Sequence, residues 1–395
     1  MWSDNETNID CIDFQNYVNA ICRIIDDTNL HPCSIGVFGD WGSGKSSLMK
    51  MVSEKYEPVE DVLVIKFNGW LFEGYEDAKT VLMGRIVDDI VAKKTLSEKA
   101  KNLAFKLFKK IDFMKVGGSI LKYGLSFVTL GPTGLAITST VDTLSKLKDI
   151  KPEELLKNKE GSPENDIRSS IQEFHKNFEE LLDETKLKKI IVVIDDLDRC
   201  SPETIIATLE AIKLFLFAKN TIFIIGADER LIKYAVRKRF PEIPGDNAEV
   251  GRDYLEKLIQ FPIRIPFLSS WEIESYINLL FSKLYLDNEE FESLRNKIFE
   301  EKNKNNLSYS FVLNLDTISK LLGKDIESDH KEVLLLSAQI TPVLTSGLNG
   351  NPRQCKRFLN TLLLRYEIAS AKKVSLQKRI LSKLMLLEYF KPESF

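Results

Sequence analysis

Apolar and polar positions alternate along this chain with two different periods. Residues 12–27 place Phe14, Val18, Ile21, Ile24 and Ile25 at helical spacing, so an amphipathic helix is predicted there. Ser34 to Phe38 is a short apolar run that leads into a glycine-rich stretch, and Ser46 to Val52 returns to the helical period. Asp61 to Phe67 reads as a second strand, closed by Asn68-Gly69-Trp70, and residues 77–94 read as a helix. Further on, 165–185 suits a helix, and Lys189 to Ile194 is a continuous apolar strand entering Asp195-Asp196. Residues 203–219 suit another helix, Thr221 to Gly226 a buried strand and Phe261 to Pro266 a last strand. Uninterrupted apolar strands alternating with helices predict an α/β fold, a parallel sheet with helices on both faces. Beyond 270 the pattern is helical and rich in Leu and Lys, which predicts a C-terminal helical lid.

One stretch breaks the alternation. Between 99 and 122, seven lysines face a single acid, Asp112, with Leu103, Phe105, Leu107, Phe108, Ile111 and Phe113 interleaved. The 19 residues from Tyr123 to Val141 carry no charge, and ten of them are Gly, Ser, Thr or Pro. That composition is poor for a bilayer span, which needs about 20 mostly apolar residues. The chain therefore divides into a first core part at 1–96, a mainly helical insertion at 97–165, a second core part at 166–268 and the lid at 269–395.

Composition narrows the classes. With 395 residues, 44% hydrophobic and 29% charged, the chain is an ordinary globular protein. A net charge of -3 argues against whole-molecule attraction to nucleic acid, while local basic patches stay open. Five scattered cysteines without a Cys-x-x-Cys pair, and three histidines, make a structural zinc site a poor fit. An odd cysteine count and a polar, acidic N-terminus point to a reducing, cytoplasmic setting.

The chemistry concentrates at two strand ends. Gly39-Asp40-Trp41-Gly42-Ser43-Gly44-Lys45-Ser46 is the full Gly-x-x-x-x-Gly-Lys-Ser phosphate loop, and it lies between a predicted strand and a predicted helix, as that motif requires. Glycines let backbone N–H groups turn toward phosphates, and the following helix adds its positive end. Lys45 is expected to reach the β- and γ-phosphates, Ser46 to ligate Mg²⁺ and Ser47 to approach an α-phosphate. Mg²⁺ also needs a carboxylate, expected on a neighbouring strand, and Asp195 ends the Ile190–Ile194 run where ligands of parallel sheets bind. Asp196 then stands ready to orient or deprotonate an attacking water, and two adjacent acids favour hydrolysis over binding alone. Asp198 fits a helix cap as well as a site residue. Lys45 and Asp195 are 150 positions apart, far more than one crossover connection needs, which is why 97–165 reads as an insertion.

Together these elements resemble the KAP family of P-loop NTPases. The resemblance rests on the phosphate loop, on Phe67-Asn68-Gly69-Trp70 and on Asp195-Asp196-Leu197-Asp198-Arg199-Cys200. It continues through Tyr254-Leu255-Glu256-Lys257-Leu258-Ile259-Gln260 and Asn351-Pro352-Arg353-Gln354-Cys355-Lys356-Arg357-Phe358-Leu359-Asn360. The family usually has Pro where Gly69 stands. The resemblance implies an ATP- and Mg²⁺-dependent switch ATPase, an insertion between the two nucleotide motifs and, for many bacterial members, a place in anti-phage defence. It also implies that Asp228 is a γ-phosphate sensor and that Arg353 is a second sensor in the lid. The sequence gives each some support: Asp228 follows a buried strand, and Arg353 opens a helix whose first turns are basic. Such charge opposes the helix dipole unless an anion lies opposite. Arg199 and Arg230 both qualify as the cation that transferring phosphoryl charge needs, within or between subunits.

These readings lead to an ATPase acting as a homo-oligomer with a separate effector protein. The alternative is a nucleotide-dependent scaffold whose hydrolysis is incidental. The basic stretch and the uncharged run, residues 99–141, could lie on a membrane surface, hold nucleic acid or simply present a solvated lysine face.

Overall fold

A computed structural model describes residues 1–72, 78–93, 97–114, 163–216, 218–240, 250–304 and 311–394. Its centre is a parallel five-stranded sheet in the order β2-β3-β4-β1-β5. The strands are β1 (Cys33–Phe38), β2 (Val62–Asn68), β3 (Lys189–Asp195), β4 (Thr221–Ala227) and β5 (Phe261–Arg264). Successive strand residues point to opposite faces, so a run that is apolar at every position serves both. In β3, Ile190, Val192 and Ile194 join one core cluster, whereas Ile191 and Val193 join the other. The second cluster is closed by α1 (Gln15–Asp26) and α2 (Lys45–Tyr56), through Phe14, Val18, Ile21, Leu48, Met49 and Val52. The first is covered by α3 (Ala78–Lys93), α4 (Glu98–Met114), α5 (Pro163–Thr185), α6 (Pro202–Phe215), α7 (Glu229–Arg239) and α8 (Val250–Leu258).

Strand order corrects one expectation. The strand carrying Asp195 was expected beside the strand that feeds the phosphate loop, yet β4 lies between β3 and β1. Sequence spacing carries no information about the order in which parallel strands pair. Gly226 of β4 makes the longer reach workable: a Cβ there would stand 3.1 Å from Asp195 Oδ1 and 2.2 Å from Met49 Cε.

The start of the proposed insertion is part of the main core. Ala100, Leu103, Ala104 and Leu107 of α4 are buried with Phe174 and Phe178 of α5, while Lys99, Lys101 and Lys106 stay exposed. Residues 115–162, including the uncharged run Tyr123–Val141, lie outside the described residues. No helix among the described residues is long and apolar enough to cross a membrane.

Among the described residues six α-helices follow β5: α9 (Ser270–Tyr285), α10 (Asn288–Lys304), α11 (Leu315–Leu322), α12 (Ser328–Gly347), α13 (Pro352–Ala371) and α14 (Lys378–Phe390). Their starts are fixed locally. Ser269 and Glu272 form a reciprocal capping box on α9. Asn351 caps α13 with Pro352 in the first turn, where its missing N–H costs nothing. Leu280, Phe281, Ile340, Leu344, Phe358, Leu359 and Met385 pack α9, α12, α13 and α14 around one core, and Phe291, Leu294 and Ile318 join α10 and α11 to a second.

Candidate functional site

β1 ends at the phosphate loop, whose turn depends on two glycines in the left-handed region: Gly42 at φ 85° and Gly44 at φ 102°. A Cβ on Gly44 would come within 2.7 Å of the Phe14 ring, so the loop also needs glycine for its packing onto α1. Lys45 is buried; its Nζ donates to the carbonyls of Gly39 at 2.8 Å and Asp40 at 3.1 Å, and lies 3.4 Å from Asp198 Oδ2. The Ser43 hydroxyl is buried without a hydrogen-bond partner, a polar group inside the loop that suits a polar ligand.

Across β4, Asp195 meets this loop. Burial pushes its carboxyl above the usual range, while hydrogen bonds from the Ser46 hydroxyl and the Asp196 N–H partly offset that. A carboxylate and a hydroxyl brought together at a helix start form a hard-oxygen donor pair suited to Mg²⁺. Asp196 adopts φ 55° and ψ 25°, a left-handed conformation that costs a non-glycine residue about 1 kcal/mol or more. It is held there by Asn68 Nδ2 donating to Oδ2 at 2.9 Å and by Arg199 Nε, 2.9 Å from Oδ1. Strain maintained by two specific partners is characteristic of functional positions. Gly69 fits the same corner: its N–H donates to the Asp195 carbonyl at 2.9 Å, a bond proline could not make.

The two arginine candidates separate. Arg199 lines the cleft beside Asp196, with its guanidinium carbon 5.8 Å from the centre of the Trp70 ring. Arg230 is not among the residues lining the cleft; its Nη2 binds Asp228 Oδ2 at 2.6 Å and Asp40 Oδ1 of the phosphate loop at 2.8 Å. Asp228 also caps α7, and burial alone would raise its carboxyl, but Arg230 holds it below the usual range. Asp228 therefore does not line the cleft; its N–H donates to Asp198 at 2.8 Å, which links it indirectly to Lys45. Asp198 is not a cap, since its carboxylate turns to Lys45.

The lid approaches the tip of the phosphate loop. Asn351 Nδ2 donates to the Trp41 carbonyl at 2.8 Å, and the Arg353 guanidinium stacks 4.4 Å from the centre of the Trp41 ring. A Cβ on Gly42 would lie 2.8 Å from both Arg353 Cβ and Asn351 Oδ1, so this glycine permits a close approach of lid to loop.

Between lid and core lies a cleft of about 330 Å³, lined by Lys45, Ser46, Ser47, Asp195, Asp196, Arg199 and Arg353 among others. Two groups there carry no role from sequence, Asn68 and an N-terminal segment including Asp4, Thr7 and Ile12, while Asp198, open between cap and site residue, joins Lys45. The signal for Asn68 was its place just after a predicted strand, as Asp195 follows Ile190–Ile194; in the structure the two pair across β2 and β3. The N-terminal segment offered no pattern beyond polarity.

A strand-fed phosphate loop, an acidic strand end and a cleft between them define a P-loop nucleotide-binding protein. The model for the KAP family P-loop domain matches residues 14–369, and the chain belongs to that family. It is also similar, at 27% identity over 168 residues, to an uncharacterised protein of Methanocaldococcus jannaschii. That match covers 39% of this chain and 84% of the relative.

Proposed function

We propose that this chain is a Mg²⁺-dependent ATPase in which binding and hydrolysis switch the relation between core and lid. The observation that carries the reading is the company Asp196 keeps: a strained acid at the cleft wall, fixed by Asn68 and Arg199, opposite a lid arginine.

Lys45, released from Asp198, would meet the β- and γ-phosphates, and the loop's N–H groups would surround them. Ser46 and Asp195 would hold Mg²⁺, which would supply charge neutralisation to the phosphates. Asp196 would orient a water and accept its proton, while Arg199 would face the developing charge. Arg353, carried by the lid, would report the terminal phosphate. Assembly into a homo-oligomer, an effector partner and a role in phage defence extend this reading through the family resemblance.

Phosphate release by the full chain tests it. Asp196→Asn should keep ATP binding within about threefold and lower turnover by roughly 100-fold or more, the usual size for a positioned acid–base group. Unchanged turnover in that variant would remove the catalytic claim. Hydrolysis-dead protein that still supports its cellular role would favour the scaffold alternative.

A further inference from the structure

A basic first turn on α13 calls for an anion, and the chain supplies one. Asp4 receives Arg353 Nε at 3.0 Å on each carboxylate oxygen and Nη2 at 2.7 Å on Oδ2. Asp4 is reached by a segment fastened at both ends. On the lid side, the Trp2 N–H donates to Asn360 Oδ1 at 2.8 Å, its indole Nε1 to the Leu280 carbonyl at 3.1 Å, and its carbonyl accepts from Asn360 Nδ2 at 2.8 Å. The Trp2 ring meets Phe281 edge-on at 5.9 Å, and Lys356 Nζ donates to the Ser3 carbonyl at 3.0 Å. On the core side, the Thr7 N–H donates to Ser47 Oγ at 3.1 Å.

We infer that Asp4 is a built-in competitor for Arg353 and thereby sets how strongly the cleft distinguishes nucleoside triphosphate from diphosphate. The inference rests on the reading of Arg353 as the residue that faces the terminal phosphate.

The division of labour within the segment supports this. Trp2 does the fastening, through three hydrogen bonds and an aromatic contact, so the segment does not need Asp4 to stay in place. The Asp4 carboxylate is itself 41% exposed, so water already competes for it and the forked pair can exchange for a more strongly charged anion. A terminal phosphate carries more charge and more acceptor oxygens than a carboxylate, so it can displace Asp4 from the same guanidinium. A diphosphate lacks the group that would do so. Arg353, followed by Arg357 and Lys356, holds the Asp4 carboxyl below its usual range, so the competitor is ionised at neutral pH. The same segment touches Ser47, so displacement at the lid end is linked to the helix that starts at Lys45.

The test is equilibrium titration of the full chain with Mg²⁺ and either a non-hydrolysable ATP analogue or ADP. Asp4→Asn should tighten the analogue about fivefold and change ADP less than about twofold, the size expected for losing a partly exposed ionic competitor. Asp4→Glu should keep the wild-type ratio, Trp2→Ala should shift it in the same direction as Asp4→Asn, and Asp4→Asn with Arg353→Ala should show no gain. Equal shifts for both nucleotides, or weaker analogue binding by Asp4→Asn, would reduce the pair to a structural fastening and overturn the inference alone. If Arg353→Ala leaves the analogue-to-ADP ratio unchanged, the reading of Arg353 fails and the inference falls with it.

Discussion

Lys45 and Arg353 both line the cleft, one from the core and one from the lid, and they are held in different ways. Lys45 is buried, anchored by two carbonyls of its own loop and by Asp198, all within the core. Arg353 is half-buried, stacked on Trp41 and paired with an acid 349 positions away in the sequence. The core wall is built from strands and a helix whose geometry is fixed by the sheet. The lid wall draws on segments far apart in sequence, and its link from Arg353 to Asp4 is a partly exposed ion pair, a contact water can contest. A site with one rigid and one exchangeable wall is suited to reporting what lies between them.

Removing the rigid cation should have the largest effect. Lys45→Ala is expected to weaken MgATP binding by about 100-fold or more, as befits the loss of charge-assisted bonds to phosphate. Combining Lys45→Met with Asp198→Asn avoids leaving a buried unpaired carboxylate and should give the same binding defect in a stably folded protein. Binding measured by calorimetry that falls less than about fivefold would break the comparison on its core side.

The two arginines sharpen it. Arg199→Ala should lower phosphate release by about tenfold or more, because Arg199 lines the cleft beside Asp196. Arg230→Ala should change it by less than about threefold, since Arg230 is an exposed partner of Asp228 and Asp40. Reversed magnitudes would move the charge-stabilising role to Arg230.

The smallest effect concerns the lid's own stability. His330 is buried between α9 and α12 against the Ser282 hydroxyl, and it stacks on Tyr285. Burial lowers its pKa from 6.5 to about 4. A depressed histidine contributes stability above its unfolded pKa and loses it as the unfolded state takes up the proton. The lid should therefore lose stability as the pH falls from 6.5 through about 4. His330→Gln should flatten that part of the profile in denaturant melts.

The same contrast explains what the sequence could tell. Lys45, Ser46, Asp195 and Asp196 were legible because each sits where an apolar strand meets a loop, a local pattern with a known use. The parallel α/β sheet was legible for the same reason. That β4 separates β3 from β1 was not, because pairing order depends on which strands bury each other, and β1, β3 and β4 are all apolar enough to be central. Arg199 and Arg230 looked alike because both follow a strand end by a few residues. The structure separates them by which side of the turn each faces. Asp4 and Trp2 were invisible, since their partners, Arg353, Asn360 and Leu280, are set by tertiary packing between segments far apart in sequence.

Hydrogen exchange across the full chain tests most directly the claim that nucleotide joins a fixed core wall to an exchangeable lid wall. With Mg²⁺ and a non-hydrolysable ATP analogue, the first turns of α13 should gain protection and residues 2–7 should lose it, while β1 and β4 stay unchanged. ADP should leave the α13 and N-terminal signals close to those of the free protein. Identical exchange at α13 and at residues 2–7 with analogue, ADP or no nucleotide would contradict the account.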